Sequence, residues 1–202
     1  MTASNTFTFK RVSGVGIAPY VDDLARLRIE VFREFPYLYD GDEDYERKYL
    51  QTYVKSPRSL AVLVYDGAQL IGASTGLPMA DETPEFQRPF LENGYDVGKV
   101  FYCGESVLRR AYRGRGIYKH LFQAREQHAS ELPGIELCTF CGVRRAPDHP
   151  SCPSDYAPKR HLAALRLRRT SGIADAIRLE GRRRERADGQ DHAFLDQEAR
   201  LV

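Results

Sequence analysis

The chain of 202 residues has no tryptophan, only four cysteines and no long apolar run. Four cysteines are too few for the disulfide framework of a small secreted scaffold. No stretch approaches the roughly 20 apolar residues that a membrane-spanning helix needs, and the first residues lack the apolar core of a signal peptide. These absences predict a cytoplasmic protein without a membrane partner.

An excess of charge of one sign is also missing. Thirty Lys and Arg residues face 28 Asp and Glu residues, which gives a formal net charge of +2. This near balance provides no general attraction to nucleic acid, so no nucleic-acid partner is expected. With 42% hydrophobic residues, the composition is typical of a globular domain with a sizeable core.

The order of the periodic segments predicts an α/β fold. The pair Asp66-Gly67 is a strong hairpin signal between two apolar strands. In the last predicted helix, the periodicity places Leu121 toward the core and Arg125 outward. The predicted helices cover residues 21–35, 44–55 and 114–130, and the strands cover residues 7–11, 97–108, 135–143 and both sides of the hairpin turn.

A glycine turn between arginines opens the last predicted helix, in the segment "AYRGRGIYKHLF". Gly114 and Gly116 allow successive backbone N–H groups to point inward, and the helix start adds partial positive charge. Arg113 and Arg115 can add charge-assisted hydrogen bonds to phosphate oxygens. The glycine spacing fits neither a dinucleotide-binding loop nor a P-loop, yet it predicts a phosphate or pyrophosphate site.

The segment "SVLRRAYRGRGIYKHLF" resembles motif A of the GNAT acyltransferases, and the order of elements resembles that family as far as Val143. The resemblance implies a mixed, mostly antiparallel sheet flanked by helices, with acetyl-CoA as cosubstrate. Tyr118 departs from the motif, which usually has Gly or Ala there, and its side chain would crowd the pyrophosphate. The residues implied in acetyl-CoA binding are Val107, Leu108, Arg113, Gly114, Arg115, Gly116, Ile117 and Tyr118.

The family resemblance also implies an N-acetyltransferase in which a primary amine attacks the thioester directly. This chemistry needs a base for the ammonium group and a proton for the leaving thiolate. Glu105 is the one carboxylate in the predicted strand at 97–108, and we predict it to be the base; the alternative is a structural charge paired with an arginine. Tyr102 on the same strand and His149, which titrates near neutral pH, are further catalytic candidates.

Two segments are predicted to border the acceptor site of the resembled fold. The acidic turn "PYLYDGDEDYE" offers Tyr37, Tyr39 and Asp40 for a cationic small-molecule or peptide amine, unless it is only a solvated turn. Arg144 and Asp148 follow the fifth predicted strand on the same side. The sequence leaves the acceptor and the oligomeric state open, with a homodimer among the expected states.

Three cysteines and a histidine have spacing reminiscent of a zinc site: Cys138, Cys141, His149 and Cys152. Residues three apart on a strand point to opposite faces, so Cys138 and Cys141 are interpreted as core side chains and no metal is expected. Two other functions remain alternatives to catalysis. One is a regulatory acyl-CoA-binding protein with weak or no activity, and the weaker one is a zinc-dependent nucleic-acid-binding module.

The composition changes after Pro158, which divides the chain into a GNAT-like domain at 1–158 and an Arg-rich tail at 159–202. The tail contains a single aromatic residue, Phe194, and no Gly-aromatic pair. In the resembled family, this part of the chain has a helix with an aromatic residue near its end, a Gly-aromatic pair and two closing strands. Synonymous codons can be chosen so that the adjacent reading frame encodes these features. We therefore interpret the tail as a frameshift product, loosely helical or disordered, which leaves the fifth strand with an unpaired edge.

Overall fold

The computed structural model describes residues 7–144, 149–153, 178–179 and 194–201, with the backbone alone for residues 141–144, 178–179 and 194–201. The helices within these residues are α1 (Val21–Phe32), α2 (Glu43–Lys55), α3 (Pro84–Glu92) and α4 (Ile117–Glu131). The strands are β1 (Thr8–Val12), β2 (Leu60–Asp66), β3 (Gln69–Pro78), β4 (Val100–Cys103), β5 (Ser106–Leu108), β6 (Leu137–Arg144), β7 (Arg178–Leu179) and β8 (Phe194–Leu201).

One mixed sheet organises the fold, in the order β1-β2-β3-β4-β6-β8-β7, with β5 beside β3. The β4–β6 pair is parallel, and the other pairs are antiparallel. Asp66 pairs with Gln69 across a two-residue loop in which Gly67 has a φ of 58°. The predicted fold class and hairpin are confirmed.

Alternating side chains of the strands divide the core between the two faces of the sheet. On β2, Ala61 and Leu63 pack with residues of α1 and α2, such as Leu24 and Leu50. The intervening residues of the same strand pack against α4, where Leu121 is fully buried. The helices α1 and α2 therefore cover one face of the sheet, and α4 covers the other.

The helix α4 corrects one prediction from the periodicity. Arg125 was expected to point outward, but it is only 2% exposed and lies in line with Leu121 and Ala129 on the buried face. Its guanidinium reaches across the sheet to donate to the Glu105 carbonyl at 3.1 Å. An arginine in this position is stabilised by a specific acceptor, which helical periodicity alone does not reveal.

The helix α3 was missed because Pro84 and Pro89 mark its sequence as a loop. Pro84 occupies the first turn, where the missing N–H costs nothing, while Pro89 lies inside the helix. Phe90 is fully buried and Phe86 packs against the same core. Burial of these two rings therefore outweighs the cost of the internal proline.

The described part of the tail forms strands. The strand β8 pairs antiparallel with β6 over eight residue pairs, from Leu137–Leu201 to Arg144–Phe194, and β7 pairs with β8. The expectation that the fifth strand, here β6, has an unpaired edge is therefore wrong. The domain division at residue 158 and the frameshift origin of the tail remain predictions. Among the described residues, no helix is long and apolar enough to cross a membrane.

Candidate active site

The sheet opens into a V where the predicted fourth strand keeps β3 as a partner but loses β6. Its first half, β4, pairs with β6 from Val100–Leu137 to Cys103–Phe140, whereas its second half, β5, pairs with β3. Beyond Cys103, no pairing joins this strand to β6 within the described residues. Gly104 and Glu105 form the irregular step between the halves, held to β3 by Gly104 N–H to Thr75 O at 3.0 Å and Thr75 N–H to Glu105 O at 3.1 Å.

Backbone groups of β5 line the opening. The Arg109 N–H donates to the Ile71 carbonyl of β3 at 3.0 Å. Because adjacent residues of an antiparallel strand alternate between facing the partner and facing away, the Val107 backbone faces β3 and the Leu108 backbone faces the opening. Arg113 Nε reaches the Leu108 carbonyl at 3.2 Å. Of the two residues of β5 that the family resemblance implies in acetyl-CoA binding, Val107 and Leu108, Leu108 is the one whose polar backbone faces the V.

The glycine turn lies between β5 and the start of α4. Gly114 and Gly116 have φ angles of 77° and 80°, a left-handed conformation that favours glycine. A Cβ at either position would meet nothing within 4 Å, so open space surrounds the turn. Gly116 is the N-cap of α4, and no side chain caps the helix. The turn therefore combines a positive helix start with room for an anion, and the phosphate site remains a prediction.

The two arginines of the turn have different surroundings. Arg113 Nη1 forms an ion pair with Glu34 at 2.7 Å, which ties the turn to the chain just beyond α1. The Arg115 guanidinium lies over the Tyr112 ring, 5.2 Å from its centroid. Both side chains are held at the edge of the open space by these contacts.

Tyr118, the residue that departs from motif A, has its ring on the core side. It packs against the apolar cluster that contains Leu108, Ile117 and Leu121. Burial raises the pKa of Tyr118, and the neighbouring Arg113 opposes this rise. The ring therefore has an apolar site of its own, next to the turn.

Glu105 lies in a buried polar cluster between the bulge and the helices α1 and α2. Its carboxylate is ion-paired with Arg28, which also donates to Glu46 at 2.5 Å. Burial lowers the pKa of Arg28, but Glu105, then Tyr49 and Glu46, outweigh it and raise the pKa. This contact favours the alternative role of Glu105, a structural charge paired with an arginine. Catalysis by Glu105 remains a prediction.

Tyrosines complete the cluster. Tyr49 Oη lies 2.8 Å from Tyr53 Oη and 3.4 Å from a Glu105 oxygen. Burial is the main cause that raises the pKa of both phenols. The Glu105 charge further raises the pKa of Tyr49, and Tyr49 further raises the pKa of Tyr53. Tyr102, the predicted catalytic tyrosine, is 4% exposed on β4, and its ring contacts Phe86 at 5.4 Å between centroids. The raised pKa values keep Tyr49 and Tyr53 as neutral phenols at physiological pH.

Glu82 is a second buried carboxylate that sequence reasoning missed. It follows the short turn at 79–81 that ends β3, and it is 5% exposed. Oε2 accepts the Thr83 N–H at 3.0 Å, while Oε1 has no hydrogen-bond partner within the described residues. Burial raises the pKa of Glu82 to about 7; the Thr83 N–H opposes this rise and the Glu105 charge adds to it. The polar, Pro-containing sequence around it gives no signal of this burial.

The loop between α1 and α2 meets the segment that holds His149. The rings of Phe35 and His149 are 5.8 Å apart, and the Ser151 N–H donates to His149 Nδ1 at 3.1 Å. Tyr37 packs on Phe32 with centroids 4.3 Å apart. These contacts bring two predicted acceptor-side segments together. Asp148 lies outside the described residues, and Arg144 ends β6 with its backbone alone described.

Arginines neutralise much of the predicted acidic turn. Arg47 forms ion pairs with Asp22, Glu43 and Asp44. Asp40 lies 3.5 Å from Arg33, and Tyr39 packs against the core. The acidic turn is therefore less negative than its sequence suggests.

The cysteine spacing does not assemble into a metal centre in the part of the chain that the structure describes. Cys138 is 6% exposed and packs with Cys103, Phe101 and Ala129 between β4, β6 and α4. The Cys141 side chain lies outside the described residues. Cys138 is a core residue of the sheet.

Comparison with known proteins decides the family. The model of the Acetyltransferase (GNAT) family matches residues 24–153, nearly two thirds of the chain. This chain belongs to the GNAT acetyltransferase family. As a GNAT acetyltransferase, it uses acetyl-CoA as acyl donor. A search among curated sequences gave no match.

Solved structures share the fold at low sequence identity. An acetyltransferase from Thermus thermophilus is 18% identical, covers 98% of this chain and 97% of its own, and has a TM-score of 0.54. NAA60 of Arabidopsis thaliana, in complex with acetyl-CoA, is 17% identical, covers 98% and 99%, and has a TM-score of 0.60. The aminoglycoside N-acetyltransferase AAC(6')-Iy, in complex with CoA, is 12% identical, covers 81% and 86%, and has a TM-score of 0.51. These likenesses confirm the GNAT fold.

Proposed function

We propose that this GNAT acetyltransferase transfers the acetyl group to a primary amine by direct attack. The glycine turn carries the proposal, because it offers left-handed glycines, an uncapped helix start and open space in one place. The pyrophosphate would bind at Arg113–Tyr118, and pantetheine would lie along the outward backbone of β5. The thioester would then reach the bulge at Gly104–Glu105, where the V opens.

The acceptor class is inferred from charge. The buried cluster holds Glu46 and Glu105 on the guanidinium of Arg28, and the buried Glu82 interacts electrostatically with Glu105. A cationic amine would compensate this excess, since buried charges are stable only when paired. Among the structural neighbours, one is an aminoglycoside N-acetyltransferase and another was solved with a bisubstrate analogue. A panel of candidate acceptors should therefore contain both polycationic small molecules and peptide amines.

Binding of acetyl-CoA tests the turn first. Gly116→Asp would place a negative side chain in the open space, and we expect it to weaken acetyl-CoA binding about 10- to 100-fold, or about 1–3 kcal/mol. Gly134→Asp is the matched control, because Gly134 also has a positive φ of 81° and open space but lies beyond the end of α4. Calorimetry on the two folded variants decides: equal affinities would remove the turn from the site.

Turnover tests the reaction. CoA release from acetyl-CoA should rise with at least one amine of the panel, and mass spectrometry should find an added acetyl group on the nitrogen. Binding of acetyl-CoA without turnover of any amine would instead support the alternative of a regulatory acyl-CoA-binding protein.

A further inference from the structure

Glu82 is a buried carboxylate whose charge lacks a cationic partner in the described part of the chain. The buried guanidinium of Arg28 is occupied by Glu46 and Glu105. The single donor given to Glu82 is the Thr83 N–H on Oε2, and Oε1 has none. Since an unpaired buried charge is costly, Glu82 either holds a proton or meets a cationic ligand.

Its position places it beside the reaction centre. Glu82 comes four residues after Pro78, which pairs with Phe101 at the end of β3, and Leu77 pairs with Tyr102. The titratable groups that interact electrostatically with Glu82 are Glu105 of the bulge and the phenols of Tyr49 and Tyr53 on α2. Glu82 therefore follows the strand that pairs with Tyr102, and it interacts electrostatically with Glu105.

The two carboxylates have opposite environments. The Glu105 carboxylate forms an ion pair with Arg28. Glu82 lacks such a cation among the described residues, and the Glu105 charge further favours a proton on Glu82. A carboxylate paired with a cation beside one without a cation is an arrangement that suits a fixed charge and a proton-transfer group.

We propose that Glu82 is the base that deprotonates the acceptor ammonium, with Glu105 as the fixed, arginine-paired carboxylate of the site. Oε1 of the Glu82 carboxylate takes one proton from the ammonium, which frees the nitrogen lone pair. The amine attacks the acetyl carbonyl carbon, and the C–S bond breaks. The second proton of the nitrogen passes to the CoA thiolate, and Glu82 releases its proton to solvent.

This inference rests on the proposed amine acetylation, and a pair of variants tests it. Glu82→Gln keeps the size of the side chain but cannot accept the proton, while Glu85→Gln changes an exposed carboxylate three residues away. We expect wild-type kcat/KM to rise with pH through about 7 and Glu82→Gln to lose about 100-fold together with this rise. Acetyl-CoA affinity and the Glu85→Gln profile should match wild type. A Glu82→Gln rate within twofold of wild type would overturn the assignment while leaving the proposed function intact.

A binding measurement without turnover separates the role of Glu82 from the proposed amine acetylation. Calorimetry of amine binding to the protein–CoA complex at pH 6, in buffers of different ionisation enthalpy, counts the protons released. The wild type should release close to one proton as the ammonium ionises Glu82, and Glu82→Gln should release none. Proton release without turnover would sink the acetylation proposal and retain Glu82 as the ammonium partner; equal release by both proteins would overturn the role of Glu82.

Discussion

At the scale of single residues, two buried glutamates have different partners. Glu105 is stabilised by Arg28, whereas Glu82 is buried with one backbone donor. Neither difference can be predicted from the residue type, because both depend on which helix covers the carboxylate after folding. The glycine turn could be predicted, since its consecutive residues carry their chemistry in the local backbone.

The raised pKa of Glu82 predicts a specific dependence of stability on pH. The pKa is about 7 in the folded protein and has an ordinary value of 4.5. The folded state therefore binds the proton more tightly, so its stabilisation is complete below pH 4.5 and is lost as the pH rises to about 7. Between these limits, the free energy of unfolding should fall by about 3 kcal/mol relative to Glu82→Gln.

Urea unfolding at half-unit pH steps measures this difference. The comparison protein is Glu85→Gln, whose substituted carboxylate is exposed and which should follow the wild-type curve. If Glu82→Gln and the wild type keep a constant difference from pH 4.5 to 7, Glu82 titrates normally in the folded protein.

At the scale of elements, regular patterns were predictable and their interruptions were not. The hairpin at Asp66-Gly67 follows from local turn chemistry, and α2 begins within one residue of its predicted start. The break between β4 and β5 depends on the approach of Tyr53 from α2, and the burial of Arg125 depends on a carbonyl of the bulge. These tertiary partners are distant in sequence, so periodicity could not indicate them.

The bulge explains why Gly104 is a glycine. A Cβ there would collide with the Tyr53 hydroxyl and lie 2.9 Å from Thr75 Oγ1. We expect Gly104→Ala to destabilise the protein by about 1–3 kcal/mol, because the buried helix and strand would have to separate. Chemical unfolding measures the change.

Two further variants test the cause. In Gly16→Ala, the added methyl meets only the Val12 Cβ, at 4.0 Å, so its stability should change little. Tyr53→Phe removes the colliding hydroxyl, so Gly104→Ala should cost less in the Tyr53→Phe background than in the wild type. Equal costs in both backgrounds would show that the Tyr53 hydroxyl is not the obstacle.

At the scale of the whole molecule, the family match and the sheet extend to different points of the C-terminal part. The family model ends at residue 153, whereas the sheet continues with β8 and β7. The composition of the tail predicted an unpaired edge on β6. This prediction was wrong because secondary-structure propensity and aromatic content do not indicate pairing with a distant strand. The frameshift origin remains a prediction that the coding DNA decides: stop codons in the adjacent frame would refute it.

The last prediction concerns the edge that β8 covers. Alternate residues of an antiparallel strand donate to the same neighbour, so replacing both Gln197 and Glu198 by proline removes at least one N–H from the β6–β8 ladder. The double proline variant should unfold at a lower temperature and aggregate sooner, since an unpaired strand edge invites pairing between chains. The double alanine variant at the same positions retains both N–H groups and is the control. If the two variants have the same melting temperature and solubility, β8 does not support the sheet, and the interpretation of the tail as a frameshift product gains weight.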